Sequence, residues 1–422
     1  MPVYERLPLH NKKILLVSSG QPSLNPRLVK EADALTTAGY EVVILYTYWN
    51  NWGTLHDKEL FAEKKWKAIR LGGDPDQKRI TWLLSRLLHK VLRYILQKTG
   101  NYTDFSDIAI ARASYFLIRG AKKHKADLYI AHNLGALPAV VKAAEFYKKP
   151  CGFDAEDFHR QEVNDNVDSY NFKISSCIED EYLPFVNYIT ASSPLIAEQY
   201  ALLYKRTVTS LLNVFPKTPV HVITLNKNKP LKLFWFSQTI GPNRGLECVV
   251  EALGLSKIAA ELHLLGLPAD GYKQQLSQLA QAAGIANYNL YFYEPIKADQ
   301  IFNVASQFDI GLASEASICL NRNISLTNKL FTYIQSGLAV VASNTPAQSA
   351  LMGQYPQIGK VYSNAKELSM ILTEYDKNRE LLLQTKNEAF KIGQTLLNWE
   401  NESRMFLNVV KSALLAPPKN ER

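Results

Sequence analysis

The hydrophobic and polar positions of this chain alternate between two recurring patterns. Short apolar runs typical of buried strands are followed by segments whose apolar residues recur at helical spacing, such as Arg27–Ala38 and Ala136–Lys148. The predicted strands are Lys13–Ser18, Glu41–Tyr46, Ala68–Leu71, Asp127–Ala131, Cys151–Asp154, Tyr188–Ala191 and Val208–Leu212 in the first half, and Leu231–Ser237, Glu261–Gly266, Leu290–Tyr293, Asp309–Ala313 and Leu338–Ala342 in the second. The alternation predicts an α/β fold with one mostly parallel sheet in each half.

The chain is too long, at 422 residues, for one ordinary hydrophobic core, so we expect two domains. Phe215–Pro230 is rich in Pro, Lys and Asn, which is typical of a linker, although Val222–Leu225 within it is also consistent with a short strand. We therefore predict an N-terminal domain of residues 1–215, a C-terminal domain of residues 230–395 and a last amphipathic helix within residues 396–422.

The composition narrows the class of protein. Hydrophobic residues make up 47% of the chain and charged residues 21%, as in a globular protein, and no run of 18 apolar residues occurs. The N-terminus lacks the apolar stretch of a secretory signal and the four cysteines form no CxxC pair, so we expect a cytoplasmic protein with reduced thiols. The net charge of +9 indicates an acidic partner, either a nucleotide, an anionic lipid or a nucleic acid, but no RNP-like or helix-turn-helix motif supports nucleic acid.

In open parallel sheets, ligands bind at the carboxyl ends of the strands, so the residues that follow each predicted strand are candidates for the site. The loop Gly20–Arg27 follows the first strand, contains Asn25 and leads into a helix opened by Pro26. It lacks the GxGxxG pattern of dinucleotide-binding folds. Neither a phosphate-binding GxxxxGK[ST] loop nor a GxSxG nucleophile elbow occurs in the chain.

A histidine and a group of carboxylates follow two other strands. His132 comes directly after a predicted strand, where an imidazole can hydrogen-bond a sugar hydroxyl or a leaving oxygen, although a lone histidine is also commonly structural. The segment DAEDFHRQE, at 154–162, contains Asp154, Glu156, Asp157 and His159. Three interpretations of this segment remain: metal binding, contacts to the acceptor, and helix N-capping. Because no second histidine cluster supports a closed metal site, we expect neither a metal nor a cofactor.

Asn328 and Lys329 open an amphipathic helix that Gly337 ends before a strand. Backbone N–H groups at a helix start favour negative charge, and a lysine ammonium beside them adds a point charge for a phosphate. The alternative is that Lys329 is a solvated residue of the first helical turn.

A second candidate anion site follows the strand that ends at Ser237. Gly241 and Gly245 flank Arg244 at the mouth of the next helix. A guanidinium there can hold a diphosphate through two parallel hydrogen bonds, whereas the structural alternative is an arginine that caps a neighbouring loop.

The ordered set of these segments resembles a retaining glycosyltransferase of the GT-B type, close to family 4. The resemblance spans nearly the whole chain and rests on SLNPRLVKEADALTTAGYEVVIL, AHNLGALPAV, FDAEDFHRQE, FSQTIGPNRGLE, DIGLASE and NKLFTYIQSGLAVVAS, in that order. It implies two Rossmann-like domains that face each other across a cleft. It also implies a nucleotide sugar, most simply a UDP- or GDP-sugar, bound mainly by the C-terminal domain, and a glycan or lipid-linked acceptor in surface polysaccharide or glycolipid synthesis.

The resemblance also implies roles for individual residues. Arg244 and Lys329 would neutralise the donor diphosphate, with Asn328 beside them and Ser237 and Gly241 nearby. His132 would lie near the transferred sugar. The acceptor side would be formed by Gly20, Asn25, Arg27, Asp154 and Glu156. GT-B relatives often send the last helix back to the N-terminal domain, so we expect the same of residues 396–422.

The chain departs from the family at one point. Family 4 enzymes often carry two glutamates eight positions apart, and those places here hold Ile324 and Thr332. Glu315 is a candidate substitute that would contact the donor sugar or ribose, with a capping role as the alternative. The departure keeps open an inactive nucleotide-sugar-binding homologue. A GT-B sugar-nucleotide epimerase, which would keep the fold and change the reaction, is a second alternative function.

A separate signal is the segment 79–98, RITWLLSRLLHKVLRYILQK. Its apolar residues share a helical face flanked by Arg86, Lys90 and Arg93, a pattern that suits an anionic membrane surface. A core helix partly buried against its domain is the competing interpretation.

Overall fold

The computed structural model describes residues 12–219, 223, 229–285, 289–297 and 300–419. The chain forms two compact units, one from Met1–Leu212 with Ser403–Arg422 and one from Asn213–Glu402. Each unit is built around its own parallel sheet, which confirms the predicted α/β fold class. Of the alternative strand Val222–Leu225, only Ile223 lies within the described residues.

The strands of the first unit are β1 (Lys13–Ser18), β2 (Glu41–Thr47), β3 (Lys67–Leu71), β4 (Leu128–His132), β5 (Cys151–Ala155), β6 (Tyr188–Ala191) and β7 (Thr209–Ser210). They are parallel in the order β3-β2-β1-β4-β5-β6-β7. The order reverses between β1 and β4, and a crevice forms outside the carboxyl ends of strands at such a switch point. His132 and Asp154 lie at these carboxyl ends, in β4 and β5. Both residues belong to the strands instead of following them.

The helices of the first unit are α1 (Pro26–Thr37), α2 (Asn51–Ala62), α3 (Arg79–Thr99), α4 (Ser106–Ala109), α5 (Ser114–Ala121), α6 (Leu137–Tyr147), α7 (Tyr170–Tyr182) and α8 (Pro194–Tyr204). Asn25 fixes the start of α1 because its side chain accepts a hydrogen bond from the backbone N–H of Leu28 at 2.9 Å. Pro26 occupies the first helical position, where its missing N–H costs nothing.

The second unit contains the strands β8 (Leu231–Ile240), β9 (Ala260–Pro268), β10 (Leu290–Tyr293), β11 (Ile310–Ala313), β12 (Ala339–Ser343) and β13 (Gly359–Tyr362). Their order is β10-β9-β8-β11-β12-β13, again parallel, with the switch point between β8 and β11. The helices are α9 (Leu246–Ser256), α10 (Tyr272–Ala282), α11 (Ile301–Ala305), α12 (Leu320–Ile324), α13 (Asn328–Ser336), α14 (Pro346–Gln354), α15 (Ala365–Lys377) and α16 (Arg379–Thr395).

In the second unit, β8 is longer than predicted and β13 was not predicted. β8 continues beyond Ser237 to Ile240 through a register shift between Phe236 and Thr239, so Ser237 lies within the strand. β13 was not predicted because Gly359 and Lys360 leave it too short an apolar run to recognise.

The last helix, α17, spans Trp399–Leu415. From Ser403 onward its residues belong to the first unit. Phe406, Val410 and Ala413 pack into the hydrophobic core of that unit with residues of β1, β2 and α1.

Helix α3 is only partly buried. Ser85, Leu92 and Leu96 face the unit, and the two leucines pack with Ala109 and Ile174. The large apolar side chains that remain exposed are Ile80, Leu83, Leu84, Leu87, Val91, Tyr94 and Ile95. Among the helices that the structure describes, none has the length and apolarity needed to cross a lipid bilayer.

One glycine in the second unit gives a test of its packing. A Cβ added to Gly311 in β11 would lie 2.1 Å from the ring of Tyr333, which is fully buried. We expect Gly311→Ala to destabilise the unit by about 1–3 kcal/mol, because the ring must be displaced within a close-packed core. Gly353→Ala in α14, where nothing lies within 4 Å, should instead be neutral or stabilise by about 0.5–1 kcal/mol. Urea unfolding checks both, and equal midpoints for the two variants would contradict the packing described.

Candidate functional site

The second unit brings a lysine, a glutamate and an arginine to its switch point. Glu315 lies just beyond the carboxyl end of β11, and Arg244 lies in the loop between β8 and α9. Lys329 lies in the first turn of α13, which begins after Thr327. An added Cβ on Gly245 would lie 3.1 Å from the Cβ of Ser314, so the arginine loop approaches the end of β11 closely.

Lys329 and Glu315 form a buried ion pair. The Nζ of Lys329 lies 2.5 Å from Oε1 of Glu315 and 5.3 Å from the centre of the Trp235 ring. The two side chains are 6% and 8% exposed. Burial alone would raise the pKa of Glu315, but Lys329 beside it holds that pKa below its ordinary value. Burial lowers the pKa of Lys329, and Glu315 opposes that effect. A solvated first-turn position for Lys329 is therefore excluded.

Two arginines act on this pair. Arg244 is partly exposed, and its positive charge contributes to lowering the pKa of both Glu315 and Lys329. The Nη1 of Arg322, a residue of α12 that the sequence analysis did not single out, lies 3.4 Å from Oε2 of Glu315. The site thus carries three cations around one carboxylate, an excess of positive charge that suits a diphosphate.

Asn328, Ser237 and Gly241 are the other residues predicted to bind the donor. Asn328 is exposed, and its side-chain oxygen accepts a hydrogen bond from Asn213 at 3.0 Å. Ser237 is half-buried in β8, and Gly241 is buried immediately after that strand. Their predicted donor contacts remain predictions.

The first unit carries a different buried cluster, centred on Arg27 and Asp154. The Arg27 guanidinium donates to both oxygens of Asp154, at 2.6 and 2.7 Å, and to the carbonyl oxygen of Leu211 at 2.7 Å. Thr190 donates a further hydrogen bond to Asp154 at 2.6 Å. Although burial opposes ionisation of Asp154, Arg27 and His132 hold the pKa of this carboxyl well below its usual range.

His132 lies inside this cluster and is not accessible to solvent. Its Nε2 lies 3.2 Å from Glu31, and its Nδ1 lies 3.5 Å from Asp154 and 3.7 Å from Glu156. Burial alone would lower the pKa of His132, but these carboxylates raise it well above the ordinary value. The carboxylates around the ring therefore favour its protonated form, and the contact predicted between His132 and the transferred sugar remains a prediction.

Glu31 is the member of the cluster that the sequence analysis missed. It lies one helical turn after Arg27 on α1, at 3.6 Å, and burial followed by the charge of Asp154 raises its pKa. The i, i+4 spacing of an arginine and a glutamate on the buried face of α1 was the available signal.

The ligand types in this cluster also suit a metal ion. Atoms of Glu31, His132 and Asp154 lie within 4.8 Å of one another. Arg27, however, already donates to both oxygens of Asp154. A divalent cation would have to displace that guanidinium, so the donor set fits a charge cluster better than a metal site.

Asn25 and Glu156 form the more accessible edge of the cluster. The Asn25 side-chain amide donates a short hydrogen bond to Glu156, whose side chain is 25% exposed. Gly20 lies in the loop after β1, and its N–H donates to the hydroxyl of Ser18 at 3.1 Å. All three residues lie at the carboxyl ends of β1 and β5, which is where the sequence analysis expects the acceptor.

No protein-family model matches the chain, and no curated protein matches it. Solved structures do match over nearly its full length. HepE of Anabaena in complex with UDP gives a TM-score of 0.67 at 14% identity, covering 95% of this chain and 100% of that one. HepE has also been solved with UDP-glucose.

Two further structures match over similar lengths. TarM of S. aureus, solved with UDP among its ligands, gives a TM-score of 0.66 at 9% identity over 94% and 99% of the two chains. WaaB, a lipopolysaccharide outer core galactosyltransferase, gives 0.58 at 11% identity over 95% and 99%. At these identities the likeness concerns the fold, and this chain has the fold of GT-B glycosyltransferases.

The buried histidine predicts an unusual pH dependence of stability. A raised pKa in the folded state gives stability that is fully present below the unfolded pKa of about 6.5 and is lost as the pH rises through the folded value. We expect His132→Gln to destabilise the protein by up to about 3–5 kcal/mol at pH 6, because the buried Glu31 keeps only Arg27, at 3.6 Å, as an ion-pair partner, and by less at pH 9.

Thr190→Val is the matched control for this measurement. It removes one hydrogen bond from the same cluster without removing a charge and should cost about 1–2 kcal/mol at both pH values. Urea unfolding of both variants and wild type gives the comparison. A His132→Gln penalty that grows between pH 6 and pH 9 would contradict a raised pKa of His132 in the folded protein.

Proposed function

We propose that this chain is a glycosyltransferase that moves a sugar from a nucleoside diphosphate sugar to an acceptor hydroxyl. The observation that carries the proposal is the buried Lys329–Glu315 pair beside Arg244, at the switch point of the second unit. The buried lysine has one carboxylate partner, and a partly exposed arginine lies beside it. A bound diphosphate would supply negative charge to balance these cations.

The proposed reaction breaks the bond between the anomeric carbon and the diphosphate oxygen and forms a bond from that carbon to the acceptor oxygen. The leaving diphosphate oxygen takes the electron pair of the broken bond, so negative charge develops on it, and it then receives the proton that the acceptor hydroxyl loses. In this proposal, Lys329, Arg244 and the N–H groups at the starts of α9 and α13 stabilise that charge. Glu315 holds the Lys329 ammonium in position before the donor arrives.

The remaining details of the proposal rest on similarity. HepE binds UDP and UDP-glucose, which favours a UDP-sugar over a GDP-sugar as donor. A hexosyl donor and a retaining outcome follow from the resemblance to family 4. The similarity to WaaB supports a role in surface polysaccharide or glycolipid synthesis.

The donor site can be tested by isothermal titration with UDP. Arg244→Gln removes a charge-assisted contact at a partly exposed position, so we expect UDP to bind about 10–150-fold more weakly without loss of stability. Lys329→Met should also weaken binding, and it should destabilise the unit by up to about 3–5 kcal/mol because the buried Glu315 keeps only the more distant Arg322, at 3.4 Å, as an ion-pair partner.

Lys386→Met separates binding from stability. Lys386 is another buried lysine of the second unit, 3% exposed and 3.3 Å from Asp309. Its replacement should destabilise the unit as Lys329→Met does and leave UDP affinity unchanged. If Arg244→Gln and Lys386→Met both bind UDP like wild type, the donor site lies elsewhere.

An assay of product release then distinguishes the three candidate functions. Release of nucleoside diphosphate from one member of a panel of UDP-, GDP- and ADP-sugars, dependent on an added acceptor, is the result we expect. Epimerised sugar or sugar nucleotide without an acceptor would favour the epimerase. Binding without any turnover across donors and acceptors would favour an inactive homologue.

We also propose that α3 places the protein at the inner, cytoplasmic face of an anionic membrane. Its exposed apolar residues range from 39% exposure for Ile95 to 77% for Ile80. Its sequence carries the cations Arg79, Arg86, Lys90, Arg93 and Lys98 and no carboxylate. A helix with an exposed apolar face and cations alone favours the surface of a bilayer that contains anionic lipid.

Vesicle co-sedimentation tests this second proposal. The double variant Lys90→Ala/Arg93→Ala should bind vesicles containing phosphatidylglycerol about 30-fold more weakly, since each cation near an anionic surface contributes about 1 kcal/mol. Lys366→Ala/Lys377→Ala removes the same charge from exposed positions of α15 and should bind like wild type. Equal binding of both double variants would contradict the proposal that α3 binds an anionic membrane surface.

A further inference from the structure

Glu315, the carboxylate of the candidate donor site, is held by its backbone as well as by its side chain. The strands β11 and β12 pair in parallel up to Ala313 and Ala342. Two residues beyond that last pair, the N–H of Glu315 donates a hydrogen bond to the hydroxyl oxygen of Ser343 at 2.9 Å. A side chain thus adds one more link between the two strands where their backbone pairing has ended.

A buried glutamine holds Ser343 in turn. Gln348 lies in α14 and is fully buried. Its side-chain amide donates to the hydroxyl oxygen of Ser343 at 3.0 Å and to the backbone carbonyl oxygen of the same residue at 3.1 Å. Because a carbonyl oxygen accepts and cannot donate, the second bond fixes which end of the amide faces Ser343. The hydroxyl oxygen therefore accepts from two N–H groups, one of Glu315 and one of Gln348.

The start of α14 forgoes its own cap in this arrangement. Thr345 and Gln348 have the spacing of a capping box, in which each side chain bonds the backbone N–H of the other residue. Here the Thr345 side chain makes no capping bond, and Gln348 reaches Ser343 instead. In the described part of the chain, the Thr345 hydroxyl and the Gln348 amide oxygen are both buried without a hydrogen-bond partner. A helix start that departs in this way from its local pattern is expected near a functional site.

The Glu315 carboxylate is shared between two cations. Its Oε1 lies 2.5 Å from the Lys329 ammonium, and its Oε2 lies 3.4 Å from the Arg322 guanidinium. Because the ammonium is buried, it depends on the carboxylate beside it. A displacement of the Glu315 peptide would lengthen the distance between the two charges and leave Lys329 less well paired.

We propose that Ser343 and Gln348 are positioning residues of the donor site. They fix the peptide of Glu315, and through its carboxylate they set where the Lys329 ammonium meets the diphosphate of a donor. The part that the donor takes in this rests on the proposed glycosyltransferase function, whereas the hydrogen bonds belong to the second unit alone. Neither positioning residue needs to touch the donor.

Titration calorimetry with UDP at pH 7 and pH 9 tests the proposal on the full chain. Gln348→Met and Ser343→Ala each remove hydrogen bonds from this set, so we expect about 2–10-fold weaker UDP binding at pH 7. The loss should be larger at pH 9. Comparing each variant with wild type at the same pH cancels the titration of UDP itself.

The larger loss at pH 9 follows from the charges around Lys329. Burial lowers the pKa of Lys329, Glu315 opposes that effect, and Arg244 and Arg322 add to it. A displaced Glu315 opposes it less, so the ammonium loses its proton at a lower pH. The diphosphate then meets a neutral amine over more of the alkaline range.

Two further variants separate positioning from general damage. Ser343→Thr keeps the hydroxyl oxygen and should restore the affinity that Ser343→Ala loses. Gln335→Met removes another fully buried glutamine, whose amide donates to two backbone carbonyl oxygens at 3.0 Å each, at the end of α13 opposite to Lys329. It should destabilise the unit as Gln348→Met does and leave UDP affinity unchanged. Wild-type affinity in Gln348→Met and Ser343→Ala at both pH values, or an equal loss in Gln335→Met, would overturn the proposal.

A readout without UDP distinguishes failure of this proposal from failure of the proposed function. NMR titration of carbon-13-labelled lysine side chains reports the pKa of Lys329, whose signal is assigned by its absence in Lys329→Arg. We expect that pKa to be lower than in wild type in Gln348→Met and Ser343→Ala, and unchanged in Gln335→Met. An unchanged pKa in the first two variants would overturn the positioning roles. If the pKa shifts as expected but wild type does not bind UDP, the positioning of Lys329 is supported and the proposed function fails.

Discussion

A buried ammonium requires a partner, and in the second unit that requirement shapes the candidate donor site. Lys329 is retained in an almost solvent-free position because Glu315 lies 2.5 Å away. The pair holds α13 against the end of β11 and fixes the direction of the ammonium. Arg244 and Arg322 add positive charge around the same carboxylate, so the site is cationic before any ligand enters.

In the first unit, buried charges are also paired with one another, and more residues take part. Arg27, Glu31, His132 and Asp154 share the crevice end of the sheet, and none of them reaches solvent appreciably. The cluster joins α1 to the ends of β4 and β5, which leaves Asn25 and Glu156 as its outer, more accessible members. In this geometry His132 positions the carboxylates around it and so supports the surface on which the acceptor is expected.

The sequence predicted the strands well and the site contacts only in part. Parallel strands buried on both faces appear as continuous apolar runs, so β1, β2, β11 and β12 are visible without any structure. The residues at the carboxyl ends of those strands could be named for the same reason. Their partners could not, because Arg27 and Asp154 are 127 positions apart and only the folded chain shows that their charges cancel. Glu315 was identified as a carboxylate of the donor site, but its pairing with Lys329 depends on how α13 packs against β11.

The central claim is that Lys329 and Arg244 receive a nucleoside diphosphate. The most direct measurement is a crystal structure of the chain soaked or grown with UDP. The account predicts that diphosphate oxygens lie about 2.7–3.2 Å from the Lys329 ammonium and the Arg244 guanidinium, next to the starts of α9 and α13. A diphosphate bound away from both side chains, with the Lys329–Glu315 pair undisturbed, would contradict it.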